Sequence, residues 1–118
     1  MRLRLSALAD ADIVQILQQT RRLFGPLQVR AYADLIKAGL QMIAADPARA
    51  SIQDRSEIFP GLRSFHLELA GRKRGSAAHL LYFGVVNEEE VVVYRVLHEA
   101  MAPKRRLAVA LRSERSDN

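Results

Sequence analysis

The reading of this chain turns on "AAHLLYFGVVNEEEVVVYRVLH", residues 77–98. Two apolar runs flank the polar turn Asn87-Glu88-Glu89. The first, residues 77–86, is apolar on both faces. The second, residues 90–98, is β-branched and equally two-sided. Together they predict a hairpin of inner strands, in a sheet covered on one side by helices. Immediately upstream, "LRSFHLEL" (residues 62–69) places Phe65, Leu67 and Leu69 on one face and Ser64, His66 and Glu68 on the other. It reads as a third strand, joined through "AGRKRGS" between Gly71 and Gly75, so that the three runs form a meander.

Working outward to the N-terminus, "RLRL" (residues 2–5) alternates and predicts a short strand with Leu3 and Leu5 inward. Ser6 is placed to cap a helix, and Asp10 and Asp12 fall in its opening turns, where the helix dipole favours acids. Ala9, Ile13, Ile16, Leu17, Thr20 and Phe24 recur at helical spacing up to the break at Gly25-Pro26. A second helix starts at Pro26, carries Tyr32, Leu35, Ile36, Gly39, Met42 and Ile43 as its stripe, and ends at Asp46-Pro47. Gly39 in the middle of that stripe predicts close packing. Residues 48–61 have no periodicity and read as a loop. A last helix runs from Pro103 to about Leu111, with Leu107 and Leu111 on one side, and the polar residues 112–118 read as a frayed tail. The expected fold class is α+β, in the order β-α-α-β-β-β(-α): a helical hairpin packed on a small, mainly antiparallel four-stranded sheet, with one domain over residues 1–111.

Composition narrows the function classes. With 118 residues, 49% of them hydrophobic, the chain is sized for one domain with a real core. The absence of cysteine excludes disulfides and thiolate metal sites and fits a reducing compartment. The N-terminus alternates charge and leucine, unlike a signal peptide, and no run is apolar enough for a membrane span. These features predict a soluble, cytoplasmic protein, and no membrane is expected among its partners. Eighteen Lys and Arg against thirteen Asp and Glu give a formal charge of +5, which favours acidic partners. Arg72, Lys73 and Arg74 form one basic cluster and Lys104, Arg105 and Arg106 another. Each reads either as a solvated face or as a contact surface.

No metal-ligand spacing links His66, His79 and His98, and "GRKRG" lacks the spacing and context of a phosphate loop. The enzymatic reading is RNA cleavage, which needs a base, an acid and cations for the charge building on phosphorus. Arg63, His66, Glu68, Arg95 and His98 can supply these from a sheet face. Equally, the histidines are ordinary strand-end polar residues, and the arginines are solvated or paired with Glu68.

Five runs carry a resemblance over residues 3–107: "LSALADADI", "TRRLFGPLQVRAY", "SEIFPGLR", "HLLYF", and "RVLHEAM" leading to Leu107. In order and spacing they resemble the ParE toxins of type II toxin–antitoxin modules, within the wider RelE/ParE superfamily. The resemblance implies a bacterial plasmid-stabilisation toxin that inhibits DNA gyrase by binding, with no cofactor and no metal. It also implies neutralisation by a ParD-like antitoxin in a hetero-oligomer, with DNA met only indirectly through the antitoxin or gyrase. The ribonuclease cousins, of the RelE and YoeB type, commonly place an arginine on the strand matching "HLLYFGV" and catalytic groups near the last strand. Residues 79–85 contain no arginine, and the chain lacks the cousins' terminal tyrosine or histidine–tyrosine pair. His98 falls where one ribonuclease branch has a late histidine, but it also belongs to the ParE-like "RVLH" pattern, which is not associated with catalysis. Many ParE relatives carry an arginine where Gly84 stands, and that departure leaves open a toxin-shaped protein without toxicity.

Two functional readings follow. In the first, His98, Met101, Lys104, Arg105 and Arg106 form the target-binding surface. Leu23, Phe24, Leu27 and Tyr32 then meet the antitoxin, unless they are plain core. In the second, the chain is a ribosome-dependent mRNA endonuclease of the RelE type using Arg63, His66 and His98. The turn holding Arg72, Lys73 and Arg74 is longer than in compact ParE relatives and is either a solvated hairpin or added charge toward gyrase–DNA.

Overall fold

The computed structural model describes residues 1–71, 73 and 75–116. Along the chain these form β1 (Arg2–Leu5), α1 (Ala7–Phe24), α2 (Pro26–Ala45), β2 (Gln53–Asp54), β3 (Arg63–His66), a 3-10 turn (Leu67–Ala70), β4 (His79–Asn87), β5 (Glu90–His98) and α3 (Pro103–Ser116). The sheet has five strands in the order β1-β5-β4-β3-β2, with β1 parallel to β5 and every other neighbour antiparallel. Among the described residues no helix is long and apolar enough to cross a membrane.

The two-sided apolar strands are explained by two cores. On one face Phe65, Leu81, Phe83, Val91, Val93 and Val96 pack under Ala9, Ile16, Ile36 and Ile43 of the helical hairpin. On the other, Leu62, Leu80, Tyr82 and Leu97 pack against Leu107 and Leu111 of α3. Burying each such large side chain contributes roughly 1.5–3 kcal/mol, so the hairpin face, with the larger set, dominates stability. Gly39 sits where α2 crosses the 3-10 turn. A Cβ there would lie 2.6 Å from Leu67 Cδ2 and 3.4 Å from Leu81 Cδ1, so the close packing expected of this glycine is present. Gly25 joins α1 to α2 in a single residue because it takes φ +90°, a conformation that favours glycine.

β1 covers only the first half of the β5 edge, pairing Leu5 with Val93 as its last residue. Beyond it the start of α1 takes over. Ser6 N–H donates to Val93 O at 2.9 Å, and Ser6 Oγ donates to Tyr94 O at 2.7 Å while accepting from Ala9 N–H at 3.0 Å. Asp12 Oδ2 then accepts the Val96 N–H at 2.9 Å. The expected helix cap at Ser6 is thus also an edge cover, which removes a row of open strand groups. At the opposite edge β2 is only two residues long, another way of blunting an edge.

Three expectations are revised. The sheet gains a fifth strand, β2, from what reads as loop. The strand expected over residues 62–69 stops at His66, because its Nδ1 accepts the Glu68 N–H at 3.1 Å and turns the chain into the 3-10 segment. Leu69 is therefore 49% exposed and does not share a face with Phe65 and Leu67. α3 continues past Leu111 to Ser116, and the last two residues of the expected frayed tail lie outside the described residues.

Candidate functional site

Sheet register decides what the expected catalytic residues can do together. His79 pairs directly with His98, so the two share a face, and their rings meet edge to face at 5.3 Å between centroids. His66 pairs with Leu80, the residue after His79, and so lies on the opposite face. Arg63 pairs with Phe83, four residues and roughly 13 Å along β4 from His79. Its Nη1 donates to Pro47 O at 2.7 Å. Arg63, His66 and His98 are therefore not brought to one point. A cleft of about 350 Å³ on the α3 side of the sheet is lined by Arg55, Ser64, His66, Tyr82, Glu99 and Met101 among others, but by neither Arg63 nor His98.

The hydrogen bonds of the rings are as restrictive as their positions. His66 Nδ1 accepts the Glu68 N–H, and His98 Nδ1 accepts the Ala100 N–H at 3.0 Å. A backbone N–H can only donate, so each ring uses its Nδ1 lone pair and, when neutral, carries its proton on Nε2. His66 Nε2 lies 2.9 Å from Glu99 Oε2, a contact that holds the Glu99 carboxyl below the usual range. His79 Nδ1 is 2.5 Å from the Tyr32 hydroxyl, with its ring between those of Tyr32 and His98. Of the other suggested groups, Glu68 accepts the Gly75 N–H at 2.9 Å and holds the following turn. Arg72 and Arg74 of that turn lie outside the described residues.

Arg95 is neither solvated nor paired with Glu68. Its Nε lies 2.7 Å from Asp12 Oδ2 and its Nη2 lies 2.8 Å from Oδ1, a two-pronged ion pair whose side chains are 12% and 11% exposed. Its Nη1 donates to Arg106 O in α3 at 3.3 Å. The pair is not evident from local sequence pattern, since its members lie far apart in the chain. Its signal was present in Asp12, one acid inside the buried stripe of α1, and in Arg95, one cation inside an apolar strand.

Two exposed surfaces remain. At the hairpin tip Leu23, Phe24 and Leu27 are 59%, 71% and 83% exposed, so they are not core, and Arg21, Arg22 and Arg30 surround them. Tyr32 is separate from this tip, half-buried against His79 at the end of the sheet. At the start of α3, Lys104, Arg105 and Arg106 are exposed and, among the described residues, have no ion-pair partner, whereas Arg2, Arg4, Arg55 and Arg95 all meet acids. Cations in a first helical turn oppose the helix dipole, by roughly 0.3–1 kcal/mol each. Met101 is exposed beside them. No group of three or more potential ligands that could hold a metal occurs among the described residues.

The sequence pattern of the family described as "ParE toxin of type II toxin-antitoxin system, parDE" matches residues 3–103. A curated relative, "Toxin ParE" from Escherichia coli, is 33% identical over 108 residues, which span 92% of this chain and 94% of that protein. The chain belongs to the ParE toxin family. It is thus the toxin component of a ParDE type II toxin–antitoxin system. Among solved structures, one described as "Chromosomal ParDE TA system from P. aeruginosa" superposes with a TM-score of 0.65 at 21% identity, over 83% of this chain and 95% of that one, and shares the fold.

Within this ParE fold the departure at Gly84 has a physical counterpart. A Cβ at Gly84 would meet the ring of Tyr94 at 3.2 Å, so Tyr94 fills the space that a side chain on β4 would need. The ParE histidine cluster also makes a pH prediction. Burial, and then the neighbouring His98 charge, depress the His79 pKa from 6.5 to about 4. The folded state thus resists protonating a group that the unfolded chain protonates below pH 6.5. Stability should be complete above that pH and be lost as pH falls from 6.5 toward 4, by about 1–2 kcal/mol after allowing for partial exposure. Urea titrations at pH 7 and pH 5 should show this loss in the wild type and a smaller one in His79→Gln.

Proposed function

We propose that this toxin works by contact: it docks on DNA gyrase, holds a DNA-cleaved intermediate, and breaks no bond itself. The observation that carries this reading is the state of the two candidate histidines, His66 and His98. Both commit Nδ1 to backbone N–H groups, and they sit on opposite faces of the sheet. A general base needs a free lone pair within reach of the proton it takes. The docking surface is centred on Met101, Lys104, Arg105 and Arg106, with His98 at its margin. Cations without an ion-pair partner among the described residues suit an acidic or DNA-bearing target through steering and local complementarity. Three like charges in a first helical turn work against the helix that carries them, which supports a role outside folding.

A ParD-like antitoxin, folding as it binds, neutralises the toxin by covering the exposed tip formed by Leu23, Phe24 and Leu27, in the cytoplasm where gyrase works. The similar solved structure from P. aeruginosa is of a ParDE system, which supports a partner of this kind. His98→Ala tests the non-enzymatic reading. Growth arrest on induction should be largely retained, within a fewfold of wild type. A loss of about 10²-fold or more, as expected for removal of an acid–base group, would instead favour mRNA cleavage.

A further inference from the structure

Three features make the first turn of α3 hard to hold in place. The residue before it, Ala102, has no side chain able to cap the helix. Pro103 opens it, followed by three consecutive cations that repel one another and oppose the dipole. Its apolar side, Leu107, Ala110 and Leu111, is buried against the sheet, but apolar packing is non-directional and sets distance better than register. A directional tie does reach this turn: Arg95 Nη1 donates to Arg106 O at 3.3 Å. Arg95 itself is fixed on β5 by the two-pronged pair with Asp12, whose Oδ2 also accepts the Val96 N–H. The guanidinium thus links α1, β5 and α3 through groups of fixed geometry, in a planar fork that a lysine cannot reproduce.

We propose that Arg95 is a positioning residue: held by Asp12, it seats the first turn of α3 on the sheet and so sets where Lys104, Arg105 and Arg106 are presented. The inference rests on the reading of those cations as the target-binding surface, and its test separates the two. Two variants break the tie without stranding a buried charge. Arg95→Lys keeps a cation for Asp12 but loses the fork. Asp12→Asn with Arg95→Met removes both charges while leaving an amide oxygen to accept the Val96 N–H; replacing a buried pair in this way often leaves stability near its original value.

The measurements are amide exchange across α3, gyrase inhibition, antitoxin affinity and the thermal midpoint, all on the full chain. In both variants α3 amides should exchange at least tenfold faster and gyrase inhibition should weaken at least tenfold. Antitoxin affinity and exchange in the β4–β5 core should stay at wild-type values. Wild-type exchange in α3 with wild-type inhibition would overturn the proposal. So would a parallel loss of α3 protection, core protection and antitoxin binding, which is what a merely structural residue gives. If the wild-type protein does not inhibit gyrase, the target reading fails by itself, and selective loosening of α3 still decides whether Arg95 seats it.

Discussion

Asp12→Ala is expected to lower the free energy of unfolding by about 3–5 kcal/mol, a large share of the roughly 5–15 kcal/mol that holds a domain together. The change leaves the Arg95 guanidinium, 12% exposed, without its anion, and leaves the Val96 N–H at the β5 edge without its acceptor. Both penalties arise from stranding a buried polar group, so they exceed what a surface ion pair such as Arg2 with Glu89 would show on truncation. Asp12→Asn should cost less than the alanine, because an amide oxygen still accepts the Val96 N–H although it cannot neutralise Arg95. Urea unfolding checks the series: the midpoint should fall in the order wild type, Asn, Ala, with the slope unchanged. An alanine variant within about 1 kcal/mol of wild type would contradict the role assigned to this pair.

Reversing the cations of α3, as Lys104→Glu with Arg105→Glu and Arg106→Glu, should have the largest effect on function and the opposite effect on stability. The side chains are exposed and, among the described residues, have no ion-pair partner. Acids in a first helical turn are favoured by the dipole by roughly 0.3–1 kcal/mol each, so the thermal midpoint should hold or rise. If this turn meets gyrase or its DNA, replacing three positive charges by three negative ones should reduce inhibition by about 100-fold or more. If the antitoxin instead covers Leu23, Phe24 and Leu27 of the hairpin, its affinity should remain within a fewfold. Stability and toxicity moving in opposite directions cannot be explained by unfolding. Retained inhibition would remove α3 from the target surface.

The parts of the fold legible in the sequence were those written in local pattern. The alternation of residues 2–5, the capping Ser6, the Gly25-Pro26 break and the stripe around Gly39 each state a local rule that packing obeys. The end of β3 at His66 was not legible, because "HLEL" alternates like a strand and only the ring's bond to the Glu68 N–H bends it away. Nor was β2, whose two residues are too few for any period and are strand only because β3 lies beside them. At the site, the exposure of Lys104, Arg105 and Arg106 followed from charge, but the pairing of Asp12 with Arg95 joins residues 83 positions apart. The same long-range register splits Arg63, His66 and His98, which share a strand-end character in sequence: His66 lies on the opposite face from His98, and Arg63 lies four residues along the sheet from it.

The most direct test of action by contact adds the purified protein to DNA gyrase and follows supercoiling and cleavage of a closed circular plasmid. A gyrase-docking toxin should abolish supercoiling and accumulate cleaved plasmid as it is raised to micromolar concentration, both effects being reversed by the cognate antitoxin. Undisturbed supercoiling at that concentration, together with mRNA cut on ribosomes by the same preparation, would contradict it.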